Sequence, residues 1–291
     1  MIQRICVISI CVLAVFFASQ PVIHNQYYVS AQEEEESSSA RVRLRISEIV
    51  SHSVSLLRLH RSLNGHDTEI VYEQLYEQYD NEIVKSPPLI VALTFDDGPA
   101  AQTELILDIL EYHDVIATFC VVGERIRRYE STLLRTFESG HEIVGHSWNH
   151  RRFTLLGRDA IKDQLVRTND EIYRVLGITP ALHRPPYGAM NNTVLEVSEE
   201  LDMAILSWSV DPRDWKYSAT SEGIYEHIME YVFDGAILLF HDVHDVTVYA
   251  IEKIIPSLLE RGFVFMSASE LLSHSEYPIE GGRVFRYAIA R

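Results

Sequence analysis

The sequence predicts an α/β protein built on a parallel sheet, and three observations predict it. Short apolar runs fall at Leu89–Phe95, Ala117–Val122, Glu142–Gly145, Ala181–Arg184, Met203–Trp208, Ala236–Phe240 and Phe263–Met266. They are near-continuously apolar, as strands covered on both faces are. Helical patterns lie between most of them, among them Gln102–Tyr112, Ala160–Leu176, Glu222–Phe233 and Val246–Leu259. Strand–helix alternation at this spacing implies parallel pairing through helical crossovers. The third observation is that residues capable of chemistry follow the runs, where α/β folds place their sites. Seven strands suit a barrel short of the usual eight or an open doubly wound sheet, and periodicity leaves both open.

From the N-terminus, Met1 to Arg4 carries one positive charge, Ile5 to Ala18 is almost wholly apolar, and no charged residue occurs from Ile5 to Gln32. The apolar stretch is shorter than the ~20 residues of a spanning helix and has the character of a secretory signal. Residues 1–31 are therefore expected to be a signal peptide, with an uncleaved anchor as the alternative and membrane association only in that case. A secreted or cell-surface location follows. Residues 32–39 form an acidic, serine-rich linker with nothing to pack. Residues 40–86 have helical spacing at Ile46, Ile49, Val50, Leu56 and Leu57, then at Tyr72, Leu75, Tyr76 and Tyr79. They read as a helical extension. Ser86-Pro87-Pro88 punctuates the chain, the main domain is expected at 87–275, and 276–291 reads as a C-terminal tail.

Composition limits the function. The 291 residues are 47% hydrophobic, enough for a core without staples. A formal charge of −17 argues against nucleic acid, whose phosphates need basic surface. Of three cysteines, Cys6 and Cys11 fall in the leader, so Cys120 is a buried core residue and neither a disulfide framework nor a cysteine metal site is expected.

The first run ends in Thr94-Phe95-Asp96-Asp97-Gly98-Pro99 and the third in His146-Ser147-Trp148-Asn149-His150. On a helix or helical turn, the four-residue spacing puts both imidazoles on one face, as in known zinc sites. Asp96-Asp97 offers a carboxylate to complete a three-ligand site, with one to spare. Arg184-Pro185-Pro186-Tyr187-Gly188 follows the fourth run. Its guanidinium, if near Asp96, would hold that carboxylate ionised. Asp211-Pro212-Arg213-Asp214-Trp215 follows the fifth run, and Leu239-Phe240-His241 ends the sixth. A nearby Asp214 would raise the pKa of His241 and keep it protonated, as a general acid requires. The other histidines read as bystanders. The inventory suits a metal-activated water flanked by a base and an acid, hence a hydrolase.

These five motifs, intact and in order over roughly Pro87 to Leu272, resemble those of the polysaccharide deacetylase family, the NodB-homology domain of carbohydrate esterase family 4. The resemblance implies a distorted (β/α)7-type barrel with the site at the C-terminal strand ends. It implies hydrolysis of N-acetyl groups from N-acetylglucosamine-containing polysaccharide, with release of acetate. It also implies Asp97, His146 and His150 as ligands of a divalent metal (zinc by default, with cobalt or nickel also suited), Asp96 as general base and His241 as general acid. Arg184 resembles the residue that orients the base, and Asp214 the partner of the acid. Tyr187 matches a backbone N–H donor to the oxyanion, and Trp215 and Leu239 match the walls of the acetate pocket. Cys120 stands where an aromatic residue is common. An O-deacetylase of acetylated xylan is the alternative activity, and an inactive sugar-binding protein the alternative class. His241-Asp242-Val243-His244 followed by Thr247-Val248 leans toward bacterial peptidoglycan deacetylases.

Overall fold

A computed structural model describes residues 88–288. The expected leader or anchor (1–31), linker (32–39) and helical extension (40–86) lie outside the described residues. In chain order the elements are β1 (Leu89–Asp96), α1 (Ala101–His113), β2 (Thr118–Val121), α2 (Gly123–Ile126), α3 (Glu130–Glu138), β3 (Glu142–Gly145) and α4 (Arg158–Leu176). Then follow β4 (Leu182–His183), α5 (Asn192–Glu200), β5 (Ala204–Leu206), α6 (Ser221–Tyr231), β6 (Ala236–His241), α7 (Asp245–Glu260), β7 (Phe263–Phe265), α8 (Ala268–Ser273) and β8 (Val284–Phe285).

The strands form one sheet in the order β6-β1-β2-β3-β4-β5-β8, with β7 paired to β1, and every ladder is parallel. Single bridges join the two ends of the path: Val210 pairs with Leu238, and Tyr287 pairs with Ala236. The curl is thus closed by isolated contacts instead of a continuous ladder, which makes the barrel distorted. The seven expected strands are all present, and an eighth is added. Residues 276–291, expected to be a tail beyond a domain ending at 275, supply β8, and Phe285 is buried in the core. Two apolar residues between polar neighbours are too few to register as a strand in a pattern search.

Strand parity positions the site. Side chains alternate between faces with period two. In β1, Val91, Leu93 and Phe95 pack in the cluster under the helices, whereas Ile90 and Ala92 belong to the barrel interior. Thr94 and Asp96 share the inward parity. So do Leu239 and His241 with Ile237 in β6, His146 with Val144 in β3, and Arg184 with Leu182 in β4. The outer layer is amphipathic. Helix α4 buries Ile161, Leu165, Thr168 and Ile172 and stops at Gly177, whose φ of 69° is the left-handed cap that glycine adopts without strain.

Candidate active site

Asp96 and Asp97 are neighbours with different surroundings. Asp96 is buried, and its Oδ1 accepts a hydrogen bond from Arg184 Nη1 at 2.6 Å. Arg184 is wholly buried and fully engaged. Its Nη1 also donates to Thr94 Oγ1 at 2.8 Å, Nε to the Leu206 carbonyl at 3.1 Å and Nη2 to the Ser207 carbonyl at 3.0 Å. Burial pushes the Asp96 carboxyl up, but the guanidinium and His146 outweigh it and hold the group below its ordinary value. It is ionised at neutral pH, and Oδ2, which Arg184 does not occupy, faces His146 Nε2 at 3.6 Å.

Asp97 turns the chain with φ 77°, and Gly98 behind it has no room for a side chain, because a Cβ there would fall 2.1 Å from Asp242 Oδ2. The Asp97 Oδ1 atom lies 3.5 Å from His146 Nε2 and 3.1 Å from His150 Nε2. It is buried with no hydrogen-bond partner. The His146 Nδ1 atom lies 2.7 Å from the Arg184 carbonyl, to which it can only donate, so Nε2 is left to present a lone pair. One ligand atom from each of Asp97, His146 and His150 lies within 4.8 Å of the others. Tetrahedral ligands at ~2.0–2.2 Å from zinc are about 3.4 Å apart, so these separations fit a divalent ion. An orphaned carboxylate oxygen facing two imidazole nitrogens fits it too.

The two histidines do not meet on a helix, contrary to the expectation from their spacing. Residues 146–150 are a loop in which Ser147 (φ 66°) and His150 (φ 57°) take left-handed backbone, and Ser147 Oγ accepts the His150 N–H at 2.9 Å. A side-chain turn replaces the helical one.

The opposite wall holds His241. Its Nδ1 lies 2.7 Å from Asp214 Oδ1, and Asp214 Oδ2 accepts both the His241 N–H at 2.8 Å and the Thr247 hydroxyl at 2.6 Å. Burial lowers the imidazole's pKa, but the Asp214 bond and charge, with Asp96 and Asp97, outweigh it and raise it to about 9. Tyr187, with φ 61°, lays its half-exposed ring 4.6 Å from that of His150. Leu239 is buried two residues before His241 on the inward face. Trp215 is half-exposed beside Asp214, on an open cleft of about 500 Å³. All ten residues singled out from the sequence therefore lie on the same rim of the barrel. The further acid, Asp211, does not join them: its Oδ1 accepts the Arg213 N–H and shapes a turn.

Three further residues lie at the site that had been given no role in it from the sequence. Thr94 shares its parity with Asp96, a signal that was available. The Thr247 hydroxyl, in the first turn of α7, gave none. Asp242 is buried, with Oδ2 bonded to Thr103 Oγ1 at 2.5 Å and Oδ1 unpartnered.

Residues 83–206 match the family model described as polysaccharide deacetylase. The chain is 34% identical to the chitooligosaccharide deacetylase of Sinorhizobium fredii, covering 61% of this chain and 89% of that protein. The chain belongs to the polysaccharide deacetylase family. It is also similar to the peptidoglycan-N-acetylglucosamine deacetylase PgdA of Listeria monocytogenes, 37% identical over 62% of this chain, although it spans only 38% of that longer protein. Among solved structures, a family 4 acetyl xylan esterase from Clostridium thermocellum superposes with a TM-score of 0.64 at 34% identity, covering 68% of this chain and 98% of that one. That esterase is complexed with a cobalt ion. Polysaccharide deacetylases are metal-dependent in general, and their (β/α)-barrel is the fold seen here.

Proposed function

We propose that this protein hydrolyses N-acetyl groups from N-acetylglucosamine-containing polysaccharide, peptidoglycan or chitin-like, releasing acetate. The observation that carries the reading is the three-ligand cluster Asp97, His146 and His150, flanked by an arginine-held carboxylate and a carboxylate-held imidazole. Asp97, His146 and His150 would hold a divalent ion, zinc in our reading. Such an ion supplies Lewis acidity at the carbonyl and lowers the pKa of a bound water.

The side chains supply the proton transfers. Asp96, ionised and fixed through Oδ1 by Arg184, has Oδ2 available to take a proton from the attacking water. His241, protonated because Asp214 holds its Nδ1, delivers a proton to the departing amine nitrogen. The C–N bond breaks, acetate leaves, and the sugar retains a free amine. The Tyr187 N–H serves the carbonyl oxygen as it gains charge, while Trp215 and Leu239 confine the acetyl methyl. The charged leader followed by an apolar stretch supports action outside the cytoplasm, in secreted or surface-attached form.

A second reading, ester cleavage on acetylated xylan, is favoured by the likeness to the Clostridium esterase. The deciding experiment measures acetate released by purified zinc-loaded protein from peptidoglycan, chitooligosaccharide and acetylxylan. Release from the amides alone supports the N-deacetylase, release from xylan alone supports the second reading, and no release from any of them overturns both.

A further inference from the structure

The chain carries 42 acidic side chains against 25 basic ones, and half of the fourteen arginines among the described residues meet a carboxylate. Besides Arg184, these are Arg127, Arg135, Arg158, Arg167, Arg174 and Arg283. Of the rest, Arg125 and Arg261 donate to the backbone carbonyls of Asp97 and Met229, and three stand on the loops bordering the candidate active site. Arg151 and Arg152 directly follow the candidate ligand His150, and Arg213 directly precedes Asp214. All three are exposed, and none has a carboxylate within ion-pair distance among the described residues. Neither acid of that loop meets the Arg213 guanidinium: Asp211 accepts the Arg213 backbone N–H at 2.7 Å, and Asp214 is taken up by His241 and Thr247.

Arg152 is also held in place. Its guanidinium lies over the Tyr187 ring, 4.4 Å from the centroid, and that ring stands 4.6 Å from the imidazole of His150. The next residue, Phe153, is fully buried and anchors the loop. One aromatic ring thus separates this cation from a candidate metal ligand. A guanidinium stacked by its face on an aromatic ring keeps its in-plane N–H groups free, and their fork matches the two oxygens of a carboxylate. A neutral homopolymer offers nothing that needs this arrangement.

We infer that Arg152, stacked on Tyr187, is a specificity-determining residue that selects a glycan bearing a carboxylate on the sugar next to the one losing its acetyl group. This rests on the deacetylase reading and narrows its substrate to an anionic amino-sugar polymer, as in muramic-acid-containing glycan with a free lactyl carboxyl. Arg151 and Arg213 add positive potential around the same mouth.

The test compares zinc-loaded full-length wild type, Arg152→Ala, Arg152→Lys and Arg152→Glu. The substrates are an alternating N-acetylglucosamine–N-acetylmuramic acid tetrasaccharide and chitotetraose. The readout is the ratio of the two kcat/KM values, which a general loss of folding or activity leaves unmoved. The expected result is about a tenfold fall in the ratio for Arg152→Ala, carried by KM, a larger fall for Arg152→Glu and a partial one for Arg152→Lys. Added salt should lower the wild-type ratio more steeply than that of Arg152→Ala, which keeps only the contribution of Arg151 and Arg213. A ratio unchanged in Arg152→Ala and Arg152→Glu overturns the inference. If wild type releases no acetate from either sugar, the deacetylase reading fails. Titration of the same tetrasaccharides by calorimetry then decides the inference separately: preferential binding of the carboxylated sugar that is lost in Arg152→Ala supports it, and equal binding of both overturns it.

Discussion

Asp214 grips His241 at two points, with Oδ1 2.7 Å from the ring Nδ1 and Oδ2 receiving the backbone N–H at 2.8 Å. The Thr247 hydroxyl completes the carboxylate's shell at 2.6 Å. A base that must be ionised and an acid that must be protonated give a bell-shaped pH dependence. With the His241 pKa raised to about 9, acetate release should persist through neutral pH and fall as pH rises through that value. Replacing Asp214 by Asn removes the charge that opposes burial. The alkaline limb of kcat/KM should then move toward acid by about 1–2 pH units. A limb that stays in place in Asp214→Asn would assign the acid to another group.

The metal cluster makes a separate prediction. Asp97 Oδ1 has no donor of its own, so it is the group with most to gain from a cation. Chelation should abolish acetate release, and added Zn2+ or Co2+ should restore it. Asp97→Ala should retain less than one equivalent of metal by elemental analysis and lose at least about 10²-fold in kcat/KM. Full activity in metal-free Asp97→Ala would defeat the reading.

Much of this was legible in the sequence, and what was not has physical reasons. Continuous burial of β1 writes itself as an unbroken apolar run, and period two then fixes which side chains enter the barrel, so Asp96, Arg184 and His241 could be placed together. The path between His146 and His150 was not legible, because left-handed Ser147 and His150 give the same sequence spacing as a helical turn. Strand β8 was hidden because only Val284 and Phe285 pair in it. The hydroxyl of Thr247 and the orphaned oxygen of Asp242 depend on contacts between β6, α7 and α1, which no local pattern records.

Arg184 should contribute to stability as well as to chemistry. Removing a partner from a buried ion pair leaves an uncompensated charge, which costs about 3–5 kcal/mol. Arg184→Met should therefore lower the unfolding free energy by that amount, read from urea titration as a lower midpoint, and abolish activity. Arg184→Lys keeps the charge but cannot reach Thr94, Asp96, Leu206 and Ser207 together. It should fold with an intermediate midpoint. Its acid limb should move to higher pH, because burial of Asp96 is then less well opposed.

Asp242 gives the opposite sign. Burial raises its carboxyl to about 7, against the Thr103 hydroxyl bond and a backbone N–H bond that lower it, and the charges of Asp97 and Asp96 add to the rise. Between the ordinary carboxyl value and about 7, the folded protein keeps a proton that the unfolded chain has released. This group's contribution to stability therefore falls as pH rises through that interval and stays low above it. Asp242→Asn removes the buried charge while keeping an oxygen for Thr103. In chelator-treated protein the variant should gain stability relative to wild type at pH 8, by roughly 1–3 kcal/mol, and gain little at pH 4, as read from urea midpoints at the two pH values. An advantage that is equal at both, or larger at pH 4, would show that Asp242 is charged throughout and compensated by a partner.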